Sequence, residues 1–275
     1  MGFFTKKEKV LPSSPKETKE EAIRTSGAFV SLISHELRTP LTTIKWYIET
    51  LLEGEDAEKL TDIQKKHLKV IDDNNKRVLE LIKVFSNVSK IESGTVGVDL
   101  EQININESLK NSLKQVEHVT KDRKIAIEEE CYNDPFILFA DKNLLNLIFN
   151  NLLSNAIKFS EDGSKIKVKT EAVKKYFITG AKKIDKDGFV ISFKDSGIGI
   201  PADCNEKIFS KMFRCENAKK ASIEGEGFGL FIVKAILDLV GGEVWFQSAE
   251  GQGATFFVYF PEMGMSAHTG AKRLE

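Results

Sequence analysis

Apolar residues recur at Ile33, Leu37, Leu41, Ile44, Ile48 and Leu51, at steps of 4, 4, 3, 4 and 3. That rhythm holds one stripe on one side of a helix and predicts a long helix over residues 19–52. Residues 54–58 break the pattern. A second helix is expected over residues 61–91, with Leu68, Ile71, Val78, Ile82 and Phe85 on one side. Two long helices joined by a short loop make a hairpin with little core of its own. Two copies would complete a four-helix bundle, so a homodimer is expected. The alternative is that the hairpin packs on the C-terminal part of its own chain. Residues 1–17, with Pro12, Ser13, Ser14 and Pro15, read as a flexible leader.

The pattern changes after Glu92-Ser93-Gly94-Thr95, where a hinge (residues 93–98) is expected. Strands are predicted at 96–105, 125–127, 136–138, 165–170, 190–193, 243–247 and 255–260. Helices are predicted at 107–120, along the run capped by Asp141, and at 230–240. Strands interleaved with helices on one face of a mixed sheet give an α/β sandwich. The fold class is therefore α+β and multidomain. A helical hairpin occupies residues 18–92, an α/β domain residues 99–262 and a polar tail residues 263–275. Residues 171–188 form a longer hairpin connection than needed and receive no function. Residues 214–226 are polar, Lys-rich and Gly-flanked, and read as a mobile lid.

Three sets of residues carry candidate chemistry. In Ser34-His35-Glu36-Leu37-Arg38-Thr39-Pro40-Leu41 an imidazole that can attack a phosphoryl group adjoins a carboxylate that can hold its second ring proton. Pro40 lacks an N–H and should bend the helix there. By itself the pair reads first as a solvated helix face. In Asn151-Leu152-Leu153-Ser154-Asn155-Ala156-Ile157-Lys158-Phe159, residues Asn151, Asn155 and Lys158 share one helix face. The neighbouring Leu144, Leu145, Leu147, Ile148, Leu152 and Leu153 are apolar, so buried amides there need partners. An amide oxygen can ligate Mg²⁺ and a lysine can meet phosphate; a polar flank facing solvent is the alternative. Finally, Asp195-Ser196-Gly197-Ile198-Gly199 ends a strand, and Gly225-Glu226-Gly227-Phe228-Gly229-Leu230 opens an apolar helix. Glycines admit close backbone approach, and a helix start offers N–H groups to phosphate. Neither cluster has the spacing of a P-loop or a dinucleotide fingerprint.

Taken in order, the His35 segment, the Asn151/Asn155 helix, Asp195-x-Gly-x-Gly, Phe209-x-x-x-Phe213-Arg214 and Gly225-x-Gly-x-Gly resemble the sensor histidine kinases of bacterial two-component systems. The resemblance covers residues 20–262. The second half also resembles the wider gyrase, Hsp90 and MutL ATPases, which lack the His35 segment. The resemblance implies a phosphoacceptor hairpin followed by an ATP-binding sandwich of the Bergerat type. It implies ATP and Mg²⁺ as cofactors. His35 would be the phosphoacceptor and Glu36 its proton acceptor, with Thr39 orienting water for dephosphorylation of the partner. Asn155 would hold Mg²⁺ with support from Asn151. Lys158 would contact phosphate, and Phe159 would pack near the nucleotide. Asp195 would accept from the adenine amino group, while Gly197 and Gly199 shape the pocket. Gly225, Gly227, Gly229 and Leu230 would cradle phosphate, Arg214 would reach the γ-phosphate, and Thr255 would lie near the adenine. Two departures stand out. Glu226 puts a carboxylate beside the phosphate site or out in solvent, and Val240 replaces a histidine before Gly241-Gly242.

Composition refines this picture. Lys plus Arg total 40 and Asp plus Glu 41, a net charge of −1, so nothing points to nucleic acid. Cys131, Cys204 and Cys215 are scattered and form no expected disulfide framework or metal pattern, which fits a reducing cytosol. Cys215, beside Arg214, is a plain structural thiol or a somewhat reactive one. His67, His118 and His268 read as surface residues, and Trp46 and Trp245 as packing residues. No run approaches the ~20 apolar residues of a membrane span. The opening ten residues have too short an apolar core for a signal peptide. A cytoplasmic location is expected, either as a core of a membrane-bound sensor or as a kinase fed by a separate one, since no input domain is visible. The implied partners are a response-regulator receiver domain and a second copy of the chain. Rival readings are a degenerate kinase acting as scaffold or phosphatase, and a clamp ATPase that hydrolyses ATP without phosphorylating protein.

Overall fold

The computed structural model describes residues 15–54, 57–132, 137–179, 182–221, 223, 225–267 and 274, with side chains described from residue 33 onward. The expected leader up to residue 14, Phe136, His268 and most of the polar tail lie outside the described residues. The chain forms two compact units, Met1–Gly94 and Thr95–Glu275.

The first unit is the hairpin. Helix α1 (Pro15–Glu53) and helix α2 (Asp62–Glu92) pack against each other. Helix α1 begins at Pro15, four residues before the expected start; proline suits a first helical turn because its missing N–H has no partner there anyway. It runs uninterrupted through Pro40. Thr61 caps α2 in a reciprocal box with Gln64: the Gln64 N–H donates to Thr61 Oγ1 at 3.3 Å and the Thr61 N–H donates to Gln64 Oε1 at 2.8 Å. Of the eleven predicted stripe residues, only Ile48 and Ile82 are buried. Ile33, Leu37, Ile44, Leu51, Ile71, Val78 and Phe85 remain exposed, as does Trp46 at 59%, contrary to its expected packing role.

The second unit is the sandwich. Strands β1 (Glu101–Asn104) and β3 (Ile137–Ala140) pair antiparallel. The main sheet runs β2 (Ala126–Glu130), β4 (Lys165–Val173), β7 (Gly188–Lys194), β9 (Ala254–Pro261) and β8 (Glu243–Ser248), with only β2 and β4 parallel. Helices α3 (Ile105–Asp122), α4 (Lys142–Phe159) and α6 (Gly229–Val240) pack side by side, touching β2, β7 and β8 respectively. Leu144, Leu145, Ile148, Phe149, Leu152 and Leu153 of α4 are buried, and Phe149 meets Phe193 of β7 at 6.1 Å between ring centroids. Each such side chain contributes roughly 1.5–3 kcal/mol of burial. Only residues 101–104 of the strand expected over 96–105 form a ladder.

Residues 171–188 do more than connect. β4 extends to Val173, and the short strands β5 (Ile178–Thr179) and β6 (Lys182–Lys183) pair antiparallel. The segment buries Ile184 against Val173, Val190, Phe257 and Tyr259, with Trp245 packed alongside and stacked on Phe257 at 5.4 Å. Val190 and Ile191 alternate along β7, so the sheet has a small second core on the face away from the helices. Within the expected lid, residues Glu216–Lys220 form helix α5; residues 222 and 224 lie outside the described residues.

Candidate active site

In the first unit, the side chains of His35 and Glu36 are 75% and 73% exposed, with His35 Nδ1 3.8 Å from Glu36 Oε1. That spacing lies just beyond hydrogen-bond reach. One turn on, the Thr39 hydroxyl donates to the His35 carbonyl at 3.5 Å, the limit of a hydrogen bond. His35, Arg38, Thr39, Thr42, Thr43 and Trp46 line one concavity on the helix surface. From α2, the Asn75 amide donates to the Leu41 carbonyl at 2.9 Å, fixing the partner helix beside this stretch.

In the second unit the candidate residues converge. Asp141 caps α4, accepting from the N–H groups of Asn143 at 2.8 Å and Leu144 at 3.1 Å, as its sequence position predicts. At the other end, Arg123 donates to the carbonyls of Ile157 at 2.5 Å and Ser160 at 2.7 Å, and pairs with Asp162 at 2.7 Å. This clamp fixes the end of α4 that carries Phe159. Asn151 is held by its own helix, its amide donating to the Leu147 carbonyl at 2.7 Å. A Cβ on Gly229 would stand 2.9 Å from Asn151 Oδ1 and 3.8 Å from Asn155 Nδ2. A side chain at this residue would crowd the Asn151 amide, while Asn155 lies within ordinary contact of the first turn of α6.

Asp195 is 4% exposed. Its Oδ1 accepts from the N–H groups of Gly197 at 2.9 Å and Ala254 at 3.1 Å. Burial pushes its carboxyl above the ordinary carboxylate range, against the opposing pull of those two amides. The following turn is seated on α4 and on the β8–β9 connection. A Cβ on Gly197 would meet the Phe159 carbonyl at 2.1 Å, one on Gly199 the Ala249 carbonyl at 2.0 Å, and one on Gly253 the Asp195 carbonyl at 2.2 Å. The Ile198 N–H donates to the Phe159 carbonyl at 3.3 Å. The Ser248 hydroxyl donates to the Gly253 carbonyl at 2.6 Å and accepts from the Ile200 N–H at 2.9 Å. Thr255 is half-buried on β9 between Lys194 and Gln247.

Asn151, Asn155, Phe159, Asp195, Gly197, Gly199 and Gly229 thus belong to one connected wall. Leu230 follows in α6, half-buried. A Cβ on Gly227 would meet the Met212 and Phe213 backbone at 2.8 and 2.7 Å, and Gly225 has φ +150°. Lys158 is exposed and outside this network, and Arg214 donates instead to the Ile223 carbonyl. Glu226 is exposed and Val240 fully buried. The expectation of unrelated cysteines is corrected: Cys204 and Cys215 are disulfide-bonded, because the 205–214 loop folds back and brings their Cα atoms to 6.0 Å. Arg123, Asn217, Ser248 and Gly253 went unrecognised in the sequence. The Gly251-Gln252-Gly253 spacing was the one available signal.

A helical hairpin that exposes a histidine, followed by a sandwich whose buried aspartate is flanked by glycine turns, defines a two-part class of protein. Residues 25–94 match the family described as His Kinase A (phospho-acceptor) domain. Residues 140–264 match the family described as histidine kinase-, DNA gyrase B-, and HSP90-like ATPase. The chain belongs to the sensor histidine kinases, of which it carries the catalytic core. It is 30% identical over 233 residues to the sensor histidine kinase WalK of Bacillus subtilis, covering 85% of this chain and 36% of that protein. It is also 30% identical over 238 residues to the circadian input-output histidine kinase CikA of Synechococcus elongatus, covering 86% of this chain and 30% of that protein. The chain thus spans about a third of the length of these relatives. Full-length ShkA, solved in complex with AMPPNP, has the same fold with a TM-score of 0.69 at 21% identity, covering 87% of this chain and 46% of that one. The histidine kinase AdeS of Acinetobacter baumannii superposes with a TM-score of 0.56 at 21% identity over 83% of this chain and 98% of that one. No described helix is long and apolar enough to cross a membrane.

Proposed function

We propose that the chain is an ATP-dependent protein-histidine kinase that phosphorylates His35 and passes the phosphoryl group to an aspartate of a response-regulator receiver domain. The observation that carries this reading is the pairing, in one chain, of an exposed imidazole beside a carboxylate with the Asp195–glycine wall. Asp195 accepts from the adenine amino group; the short Gly197 backbone lets the base lie against the strand end. Asn151 and Asn155 face the phosphates together with the first turn of α6, whose free N–H groups favour anions. Lys158 and Thr255 act at the rim of the site, and Gly225 and Gly227 let the lid backbone approach phosphate. Arg214 leaves the Ile223 carbonyl to reach the γ-phosphate.

His35 Nε2 attacks the γ-phosphorus in line as the bond to the β-phosphate oxygen breaks, and Glu36 holds the proton on Nδ1. The residues fit Mg²⁺ bound with nucleotide rather than a metal caged by protein. Asn155 offers a hard amide oxygen, and among the described residues no cluster of three or more His, Cys, Asp or Glu side chains forms a metal site. Bound there, Mg²⁺ would neutralise phosphate charge. Residues 93–98 serve as the hinge, and residues 1–17 and 263–275 as leader and tail. The exposed stripe along α1 and α2 supports a homodimer, because a lone hairpin leaves Leu37, Ile44, Ile71 and Val78 in water. Such a core acts in the cytoplasm, downstream of an input domain.

The test is incubation with γ-labelled ATP. Wild type should acquire an acid-labile, base-stable phosphoryl group, and His35→Gln should acquire none while binding ATP as before. Labelling of the variant at the wild-type rate would remove His35 from the mechanism. Steady ATP turnover with no protein label would favour a clamp ATPase instead.

A further inference from the structure

Cys204 and Cys215 lie where a cross-link bears on the lid. Their Cα separation of 6.0 Å falls in the range that a disulfide spans without backbone movement. Both are buried, at 4% and 5% exposure. Cys204 closes a short turn five residues after Gly199, and Cys215 immediately precedes α5. Two residues further on, the Asn217 amide donates to the Gly199 carbonyl at 3.0 Å. Helix α5 is therefore tied back twice, to the Gly199 carbonyl by this hydrogen bond and to the 202–204 turn through the cystine. The enclosed residues 205–214 touch the second glycine turn, since Gly227 packs on the Met212–Phe213 backbone. They also anchor Phe209 edge-on against Phe246 at 6.0 Å.

We propose that Cys204 and Cys215 form a reversible thiol–disulfide switch that sets how readily residues 216–221 leave the Gly199 turn of the nucleotide site, a reading that rests on that site binding nucleotide. The oxidant is a low-molecular-weight disulfide, RSSR. One cysteine thiolate attacks a sulfur of RSSR, forming a mixed disulfide and releasing one RSH. The other thiolate attacks the protein sulfur of that mixed disulfide, closing Cys204–Cys215 and releasing the second RSH. Two electrons and two protons pass from the cysteine pair to RSSR, and excess RSH reverses both exchanges. In the dithiol state α5 is held against Gly199 by non-covalent contacts, the Asn217 hydrogen bond among them. In the cystine state the covalent link persists when that bond breaks, so opening is rarer. The ring spans a sequence separation of only 11 and joins turns rather than core strands. It therefore governs local opening of a segment that must move, more than global stability.

The experiment poises the whole chain in glutathione redox buffers and counts thiols by alkylation and mass spectrometry. Three thiols should react in the reduced protein and one, Cys131, in the oxidised protein, across a single two-electron transition. Release of a fluorescent ATP analogue should be at least ~threefold slower from the oxidised form, and amide exchange over residues 216–221 slower as well. C204S and C215S should each abolish both differences. A pair that never oxidises, or that resists excess reduced glutathione, overturns the switch. So does equal amide exchange in the two states, or redox dependence that survives in C204S. Failure of the analogue to bind either state would count against the nucleotide-site reading, and amide exchange would still decide the switch.

Discussion

Asp195 and Ala254 hold each other twice: the Asp195 N–H donates to the Ala254 carbonyl at 2.9 Å, and the Ala254 N–H donates to Asp195 Oδ1 at 3.1 Å. The carboxylate is thus locked at the end of β7 by the first residue of β9, before any ligand arrives. Its burial is costly as an anion, a sign of a group kept for binding rather than for stability.

Asp195→Asn should separate these two effects. The amide oxygen can keep both bonds to Gly197 and Ala254 while losing the buried charge. Nucleotide affinity should fall by roughly 10–150-fold, the equivalent of a charge-assisted hydrogen bond of about 1.5–3 kcal/mol. Stability should not fall. Because the folded carboxyl titrates above its ordinary value of 3.8, the folded state holds its proton longer than the unfolded one, so wild-type stability declines as pH rises from there through the folded pKa. The variant should lack that decline, and its advantage over wild type should grow with pH and then level off. Calorimetry with an ATP analogue and melts across pH check both; unchanged affinity would move adenine recognition elsewhere.

Gly229→Ala places a methyl 2.9 Å from Asn151 Oδ1. Alanine favours the helix by about 0.8–1 kcal/mol, whereas overpacking costs about 1–3 kcal/mol. The melting temperature should change little or drop, and nucleotide affinity should fall about tenfold as the Asn151 amide is pushed aside. An affinity equal to wild type would show that Asn151 does not face the ligand.

Arg123→Ala removes three partners from the end of α4. The Asp162 pair is largely exposed and contributes little. The two carbonyls lose a charged donor, so unfolding of the second unit should weaken by about 1.5–3 kcal/mol in urea. The hairpin's own transition should be unmoved; a loss shared equally by both transitions would contradict a local clamp.

Thr39→Ala should keep most autophosphorylation and lose dephosphorylation of the partner's phosphoaspartate. Thr39 sits one turn from His35, and its hydroxyl bond to the His35 carbonyl is at the limit, leaving it available to water. Both rates are measured on one preparation. Equal losses in both would mean that Thr39 only shapes the helix before Pro40.

Ile71→Lys places a charge on a position that is 51% exposed in the single chain. A monomer would tolerate it. If the stripe is a seam between two copies, sedimentation should show the wild type as a dimer and the variant as a monomer at the same concentration.

The sequence alone determined the main helices and strands, the two-part organisation and the family, because these follow from periodicity and local chemistry. The 3.5-residue stripe marked α1 and α2, Asp141 and Thr61 marked helix starts, and alternation marked β4, β7, β8 and β9. It also marked His35, Asn155, Asp195 and the glycine turns, whose roles depend on residue type at short spacing. What only the tertiary structure decided are contacts between residues far apart in the chain. Arg123 meets the end of α4 across 34 residues, and Asn217 reaches Gly199 across 18. Residues 171–188 became a covering segment with Ile184 buried, because a sheet face left bare at Val190 and Phe257 needs an apolar lid. The cysteine pair was invisible for the same reason: a separation of 11 says nothing of proximity until a loop folds back, and pairing depends on where Cα atoms come to rest in space.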